Sequence, residues 1–86
     1  MNKEEIFDKM VDLIVAINKN VAREEITINS TFEDLNMDSL DGISIITDLE
    51  KQYNIVLSNE EVNHIRSISQ AVDVIQKHLA QLNYAK

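Results

Sequence analysis

Apolar residues near the start of the chain recur at the spacing of an amphipathic helix. Between residues 4 and 18 they stand at Ile6, Phe7, Met10, Val11, Leu13, Ile14 and Ile17. Residues three, four and seven positions apart share one face of a helix, so this segment is predicted as a first long helix. The periodicity is lost over residues 19–29, where we predict a long loop. Ile26 and Ile28 are expected to hold that loop against the core.

A second helical pattern begins after Asp38, a residue type that favours the N-cap position, and Ser39 and Leu40 would open the helix. The apolar stripe that follows should face the core. Its members are Gly42, Ile45, Ile46, Leu49 and Tyr53. Asn54 is predicted to end the helix, since Asn can replace Gly at a helix C-terminus.

Two Ser-x-x-Glu sequences match the capping box that opens a helix, at 30–33 and 58–61. The first predicts a single turn that ends near Leu35. The second predicts a short helix through about Ile65. Between the second and short helices, the apolar segment 55–57 serves as a linker.

A last helix is predicted after Ser67 or Ser69, either of which can act as its N-cap. Its apolar face would consist of Val72, Ile75, Leu79 and Leu82. Proline is absent and glycine occurs once, which is consistent with a helical bundle. The predicted fold is therefore all-α: a small four-helix bundle with three longer helices, one short helix and a long first loop.

Length and composition exclude several classes of protein. The 86 residues suffice for one domain, spanning residues 1–86, with a single core. The chain has no cysteine, so disulfides and zinc–cysteine sites are excluded, and the two histidines, His64 and His78, are too few to predict a metal site. The longest aliphatic run, Leu13–Ile17, is too short to span a bilayer, and the first residues do not form a signal-peptide hydrophobic region. We expect a cytoplasmic monomer without stable membrane association.

Charge is distributed unevenly along the chain, whose net charge is −7. No basic residue lies between Arg23 and Lys51, whereas eight acidic residues do. A field of one sign repels nucleic acid and attracts basic partner proteins. This distribution predicts protein partners with basic surfaces and no nucleic-acid binding.

The sequence Asn-Met-Asp-Ser-Leu-Asp at 36–41 places Ser39 at the start of the second helix, with a carboxylate on either side. It resembles the prosthetic-group attachment site of acyl carrier proteins, which is usually Gly-x-Asp-Ser-Leu. Phe-Glu-Asp-Leu at 32–35 and Leu-Glu-x-x-Tyr-x-Ile at 49–55 also match the family pattern. The order of long, long, short and long helices is the family's too, so the resemblance covers the whole chain.

The resemblance implies that Ser39 bears 4′-phosphopantetheine, transferred from coenzyme A by a separate phosphopantetheinyl transferase. A phosphate would be favoured at a helix N-terminus by free N–H groups and by the helix dipole. The chain itself has no thiol and no visible nucleophilic triad. It would therefore be a carrier and not an enzyme, holding acyl intermediates as thioesters for fatty acid, lipid or polyketide synthesis.

The resemblance also implies two further sets of residues. The partner-recognition set would meet basic patches on acyl-handling enzymes: Asp38, Leu40, Asp41, Ile43, Thr47 and Asp48. For Leu40 and Ile43, packing at the edge of the core remains an alternative. The candidate lining of an acyl pocket is Gly42, Ile45, Ile46, Leu49, Val56, Leu57, Ile65 and Ile75.

Three positions depart from the family pattern. Ser44 stands where a glutamate is usual, which weakens the acidic face. Asn36 replaces the common glycine, although Asn tolerates left-handed backbone geometry better than most residues. Gly42 replaces a small side chain at a cost of roughly 1 kcal/mol of helix stability. It would provide room for an acyl chain, allow close packing, or reflect tolerated drift.

Other readings of the chain compete with an acyl carrier. Aminoacyl and D-alanyl carriers share the fold, and an unmodified helical adaptor would explain the acidity without the serine. A calcium-binding loop with Gly42 at its sixth position would place Met37 and Ser39 where acidic ligands belong, so this alternative is rejected.

Overall fold

Four α-helices form the protein, as seen in a computed structural model that describes the backbone of residues 2–85 and the side chains of residues 2–81. In chain order they are α1 Lys3–Ile17, α2 Ser39–Tyr53, α3 Asn59–His64 and α4 Ile68–Ala85. The described residues contain no strand longer than one isolated bridge. The predicted all-α bundle with one short helix is confirmed.

The core lies where α1 packs against both α2 and α4. Its largest fully buried side chains are Ile6, Met10, Ile14, Ile45, Leu49, Ile68, Val72 and Ile75. Burying one such side chain stabilises a fold by about 1.5–3 kcal/mol. The apolar stripes predicted for the three long helices therefore face one another, with Tyr53 and Leu79 at the margin. Ile17, at the end of the first stripe, is an exception because it is 40% exposed. The side chain of Leu82 lies outside the described residues.

The helix boundaries follow the predicted caps closely. Asn54 ends α2 with left-handed geometry, at φ 56° and ψ 48°. Before α3, the Ser58 N–H donates to Glu61 Oε1 at 3.0 Å and the Glu61 N–H donates to Ser58 Oγ at 3.1 Å. Ser67 is the cap of α4, since its Oγ accepts from the Gln70 N–H at 3.2 Å. These local hydrogen bonds satisfy N–H groups that a helix end otherwise leaves free.

The first loop differs from its prediction in two respects. It contains an unpredicted 3₁₀ turn, Arg23–Glu25. Ile26 is buried as expected, but Ile28 is 39% exposed and does not hold the loop to the core. The reason is a turn closed by the Ser30 N–H donating to the Thr27 carbonyl at 3.0 Å, which directs the intervening Ile28 outward.

The capping interaction predicted between Ser30 and Glu33 forms one residue later. The Asp34 N–H donates to Thr31 Oγ1 at 2.9 Å, and the Thr31 N–H donates to Asp34 Oδ2 at 3.1 Å. Ser30 is unavailable because its hydroxyl accepts from the Thr27 N–H at 3.0 Å. The turn itself continues through residue 36 and buries Leu35.

Backbone hydrogen bonds connect this turn to the segment between α3 and α4. The Phe32 N–H donates to the Arg66 carbonyl at 3.0 Å, and the Ile68 N–H donates to the Ser30 carbonyl at 3.0 Å. Thr31 and Ser67 form an antiparallel bridge between these two bonds. Segments distant in the sequence are thereby held together beside the start of α2.

Candidate functional site

Ser39 is exposed at the first position of α2, and the residue before it is the N-cap. Asp38 Oδ1 accepts from the Asp41 N–H at 2.9 Å, and the Asp38 carbonyl accepts from the Gly42 N–H at 3.1 Å. The N–H groups of Ser39 and Leu40 precede the first residue that an α-helix can satisfy internally. The Ser39 hydroxyl thus stands in water at the positive end of the helix dipole.

The turn before α2 directs the chain into this geometry. Asn36 adopts a left-handed conformation, with φ 58°, as its tolerance for that region predicted. The next residue, Met37, returns to the core, and its N–H donates to the Phe32 carbonyl at 3.0 Å. Asn36 therefore fulfils the conformational requirement that glycine usually meets at this point.

An open groove of about 720 Å³ lies beside Ser39, between α2 and the segment from α3 to α4. The apolar part of its lining is Phe32, Met37, Gly42, Ile43, Ile46, Val62 and Ile65. The polar part is Thr31, Glu33, Asp38, Ser39, Asn63 and Arg66. The volume falls in the range of small-molecule sites, so a flexible arm attached at Ser39 could lie within it.

Gly42 packs closely against the ring of Phe32. A Cβ added to Gly42 would stand 3.2 Å from Phe32 Cδ2 and 3.4 Å from Cε2. Favourable carbon–carbon separations are about 3.5–4.0 Å. Of the three explanations for Gly42, close packing is the one that this geometry supports.

The residues predicted to line an acyl pocket divide into three groups. Gly42, Ile46 and Ile65 line the groove. Ile45, Leu49, Leu57 and Ile75 are buried in the core cluster. Val56 belongs to neither group.

Val56 is 81% exposed, so its predicted place in an acyl pocket is wrong. Ile55 and Leu57 on either side of it are each only 6% exposed. Burial therefore alternates along this linker, which is the pattern of a segment whose successive side chains point in opposite directions, and Val56 is on the outward side.

The predicted partner-recognition residues share the outer surface of α2 and its start. Leu40 is 75% exposed and Ile43 is 46% exposed, so neither is packed within the core. Asp38 and Thr47 are exposed, while Asp41 and Asp48 are half-buried. We call Leu40, Asp41, Ile43, Thr47 and Asp48 the α2 outer face. It combines exposed apolar side chains with carboxylates.

Two residues with roles at the site were missed in the sequence. Glu50 Oε2 accepts from the Leu57 N–H at 2.8 Å and so holds the linker after α2 in place. Arg66 is a basic residue in the lining of the groove that Ser39 also lines. Glu50 lies within the family pattern at 49–55, a signal that could have revealed it. No local pattern marks Arg66, whose position depends on the backbone hydrogen bond to Phe32.

A contact between the side chains of Glu61 and His78 joins α3, which borders the groove, to α4. His78 Nε2 lies 3.0 Å from Glu61 Oε2, with both side chains less than one third exposed. The Ser58 N–H and the His78 side chain together hold the pKa of the Glu61 carboxyl below its ordinary value of 4.5. The pair therefore stabilises the placement of α3 when Glu61 is ionised.

Within residues 2–85 no helix is long and apolar enough to cross a bilayer. Within the same range no three His, Cys, Asp or Glu side chains are arranged to hold a metal ion.

Known proteins that are similar in fold and sequence identify the class of the domain. A family model described as a phosphopantetheine attachment site matches residues 9–75. The residues present fit that group, because an exposed hydroxyl, free N–H groups and a groove meet at one point. The chain is thus a phosphopantetheine-attachment domain, with 4′-phosphopantetheine as its prosthetic group.

Curated relatives identify the family within that class. An acyl carrier protein of Lactobacillus acidophilus is 38% identical over 79 residues, which cover 91% of this chain and 98% of the relative. One from Porphyromonas gingivalis is 33% identical over 76 residues, covering 87% and 96%. The chain belongs to the acyl carrier protein family. The crystal structure of an acyl carrier protein from Thermotoga maritima has the same fold, with a TM-score of 0.84, 23% identity and 95% of each chain covered.

Proposed function

We propose that Ser39 is the attachment residue and that the chain carries acyl groups as thioesters for fatty acid, lipid or polyketide synthesis. The observation that carries this proposal is the exposed Ser39 hydroxyl at the start of α2, beside the groove. Phosphopantetheine supplies the thiol on which a thioester forms. The chain supplies the attachment hydroxyl, the helix end and the groove.

Comparison of the serines supports Ser39 over the others. Three hydroxyls already take part in turns or caps: Ser30, Ser58 and Ser67. Ser69 is half-buried, and Ser44 lies inside α2, beyond the free N–H groups of its first turn. Only Ser39 combines exposure with a helix N-terminus and the groove, which suits a phosphodiester.

The attachment reaction needs little from this chain. The Ser39 Oγ would form a bond to the phosphorus of the pantetheine side of coenzyme A, and adenosine 3′,5′-bisphosphate would leave. The hydroxyl proton would pass to a base of the transferase, since His64 and His78 lie on α3 and α4, outside the groove lining. Exposure of the hydroxyl is therefore the property that the chain must provide.

Intact mass after incubation with coenzyme A, Mg²⁺ and a broad-specificity phosphopantetheinyl transferase tests the proposal. We expect one phosphopantetheine increment on the parent chain and none on Ser39→Ala. Ser44→Ala is the matched control, because it removes an exposed hydroxyl from the same helix, and it should be modified like the parent. No increment on the folded parent would favour an unmodified adaptor, and an increment on Ser39→Ala would assign another residue.

The α2 outer face is proposed to bind the transferase and the acyl-handling enzymes. Exposed apolar side chains surrounded by carboxylates suit a partner surface with an apolar centre and basic residues around it. Leu40 contributes the most exposed apolar side chain of this face and stands next to Ser39. A partner that reaches Ser39 would cover Leu40 as well.

Transfer kinetics with two matched apolar truncations test this surface. Leu40→Ala should lower kcat/KM of the transferase about fivefold or more, the loss expected when a central contact is removed. Val56→Ala is the control, because Val56 is similarly exposed but lies on the linker beyond α2. Equal rates for Leu40→Ala and Val56→Ala would contradict a specific role of the α2 outer face.

The apolar lining of the groove supports an acyl cargo over an aminoacyl or D-alanyl one. Phe32, Ile43, Ile46 and Val62 offer apolar contacts that suit a hydrocarbon chain. The mass of the protein isolated from its own cells with the thioester intact would identify the cargo. A predominant aminoacyl increment would overturn this assignment while leaving the carrier role in place.

A further inference from the structure

Arg66 is the one basic residue among those that line the groove beside Ser39. The charged residues that share the lining are Glu33 and Asp38, both acidic. Arg66 is exposed, and none of the described carboxylates forms a salt bridge with it. Its only side-chain hydrogen bond in the same range is a long one, from Nη1 to the Ile65 carbonyl at 3.4 Å. The guanidinium therefore has donors available for another anion.

The backbone of Arg66 is held firmly beside the first turn of α2. Its carbonyl accepts from the Phe32 N–H at 3.0 Å, and the neighbouring Ser67 pairs with Thr31. The ring of Phe32 in turn lies against Gly42, one turn after Ser39. A continuous set of contacts thus connects Arg66 to the helix end that carries Ser39.

Without Arg66, a phosphodiester on Ser39 would be repelled by the acidic residues around it. It carries a permanent negative charge, and the carboxylates of Asp38 and Asp41 flank it in the sequence. The eight acidic residues between Arg23 and Lys51 add to the repulsion. Guanidinium is well suited to a phosphate, since its planar N–H groups can donate two parallel hydrogen bonds.

We propose that Arg66 is the counter-ion of the phosphodiester that joins the prosthetic arm to Ser39. The inference rests on the proposed attachment at Ser39 and adds a positioning residue to it. Pairing with Arg66 offsets repulsion from the surrounding carboxylates. It also draws the first part of the arm toward the groove, because Arg66 and Ser39 are both lining residues of that groove.

Thermal unfolding of the apo and holo proteins, with and without Arg66, tests the proposal. Each protein is first shown by intact mass to be fully apo or fully holo. The quantity compared is the change in Tm when the apo protein becomes the holo protein. In Arg66→Gln this change should be less favourable than in the parent by about 2–5 °C, as expected for a partly exposed ion pair in a domain of this size. The difference should shrink in high salt, which screens exposed charges.

Two further variants separate a specific pair from general charge. Arg66→Lys keeps the charge and should recover part of the lost holo stability. Arg23→Gln removes the other arginine, which pairs with Asp12 away from the groove, and should change apo and holo proteins alike. Both substitutions at position 66 keep the backbone carbonyl that binds Phe32, so the fold is retained.

Phosphorus NMR of the holo proteins gives a readout independent of stability. The phosphodiester resonance should move between the parent and Arg66→Gln and stay unchanged in Arg23→Gln. The proposal would be overturned if Arg66→Gln left the resonance unmoved and changed the Tm of the apo and holo forms equally. An effect confined to arms loaded with a malonyl group would also overturn it, because Arg66 would then bind the cargo carboxylate. Failure of the parent chain to form the holo protein would be visible in its mass and would refute attachment itself.

Discussion

From the contact between Gly42 and Phe32 we predict how a substitution in α2 changes the free energy of unfolding. In a helix interior, Gly42→Ala should gain about 1 kcal/mol from propensity alone. The new methyl would lie 3.2 Å from Phe32 Cδ2, so the ring would have to move by several tenths of an ångström. Phe32 is buried and its N–H is bound to Arg66, which restricts that movement. Forcing extra methyl groups into a packed core costs about 1–3 kcal/mol.

The two effects oppose each other, so Gly42→Ala in the parent chain should destabilise by about 0–2 kcal/mol. In a Phe32→Leu background the obstructing ring is absent. There the same substitution should stabilise by about 0.5–1 kcal/mol, because only the propensity gain remains. The sign of the effect is thus expected to depend on residue 32.

Urea unfolding followed by far-UV circular dichroism would measure the free energy of unfolding for the four proteins of this cycle. Ser44→Ala is the matched control, since Ser44 is exposed on the same helix. It should stabilise by about 0.5 kcal/mol in both backgrounds. If Gly42→Ala had the same effect with and without the Phe32 ring, close packing would not explain the glycine, and room for an acyl chain or tolerated drift would remain as explanations.

Two predictions concern single side chains near the site. Asp38→Ala should lower the free energy of unfolding by about 1 kcal/mol, because the cap on the Asp41 N–H is lost. Asp38→Asn should retain most of the stability that the cap provides. Equal losses for the two variants in urea unfolding would exclude capping. The folded pKa of Glu61 lies below its ordinary value of 4.5, so its stabilisation is present above that pH and is lost as pH falls through the folded pKa. Glu61→Gln should therefore flatten the decline of stability below about pH 4.5, and Glu60→Gln should follow the parent curve; coincident Glu61→Gln and parent curves would refute this.

Helix positions and caps were predictable because they depend on neighbours within a few residues. Asp38, Asn54 and the Ser58–Glu61 pair each act on backbone groups within four residues of themselves. The error in the first capping box arose from a competing partner. Ser30 was already engaged by Thr27, which moved the cap to Thr31.

Burial of the linker was harder to predict from apolar character alone. Ile55, Val56 and Leu57 are all apolar, yet only the outer two are buried. The alternation of an extended segment decides this pattern, together with the bond from the Leu57 N–H to Glu50. A run of apolar residues gives no indication of which member will face water.

The sequence by itself determined the helical bundle, the position of Ser39 at the start of α2 and the acidic character around it. Local periodicity and capping chemistry suffice for those features. Only the tertiary structure decided the groove, the packing of Phe32 on Gly42 and the place of Arg66 in the same groove lining as Ser39. These depend on contacts between the turn before α2 and the segment after α3, which are far apart in the chain. The groove beside Ser39 is therefore less uniformly acidic than the surrounding sequence, because Arg66 belongs to its lining.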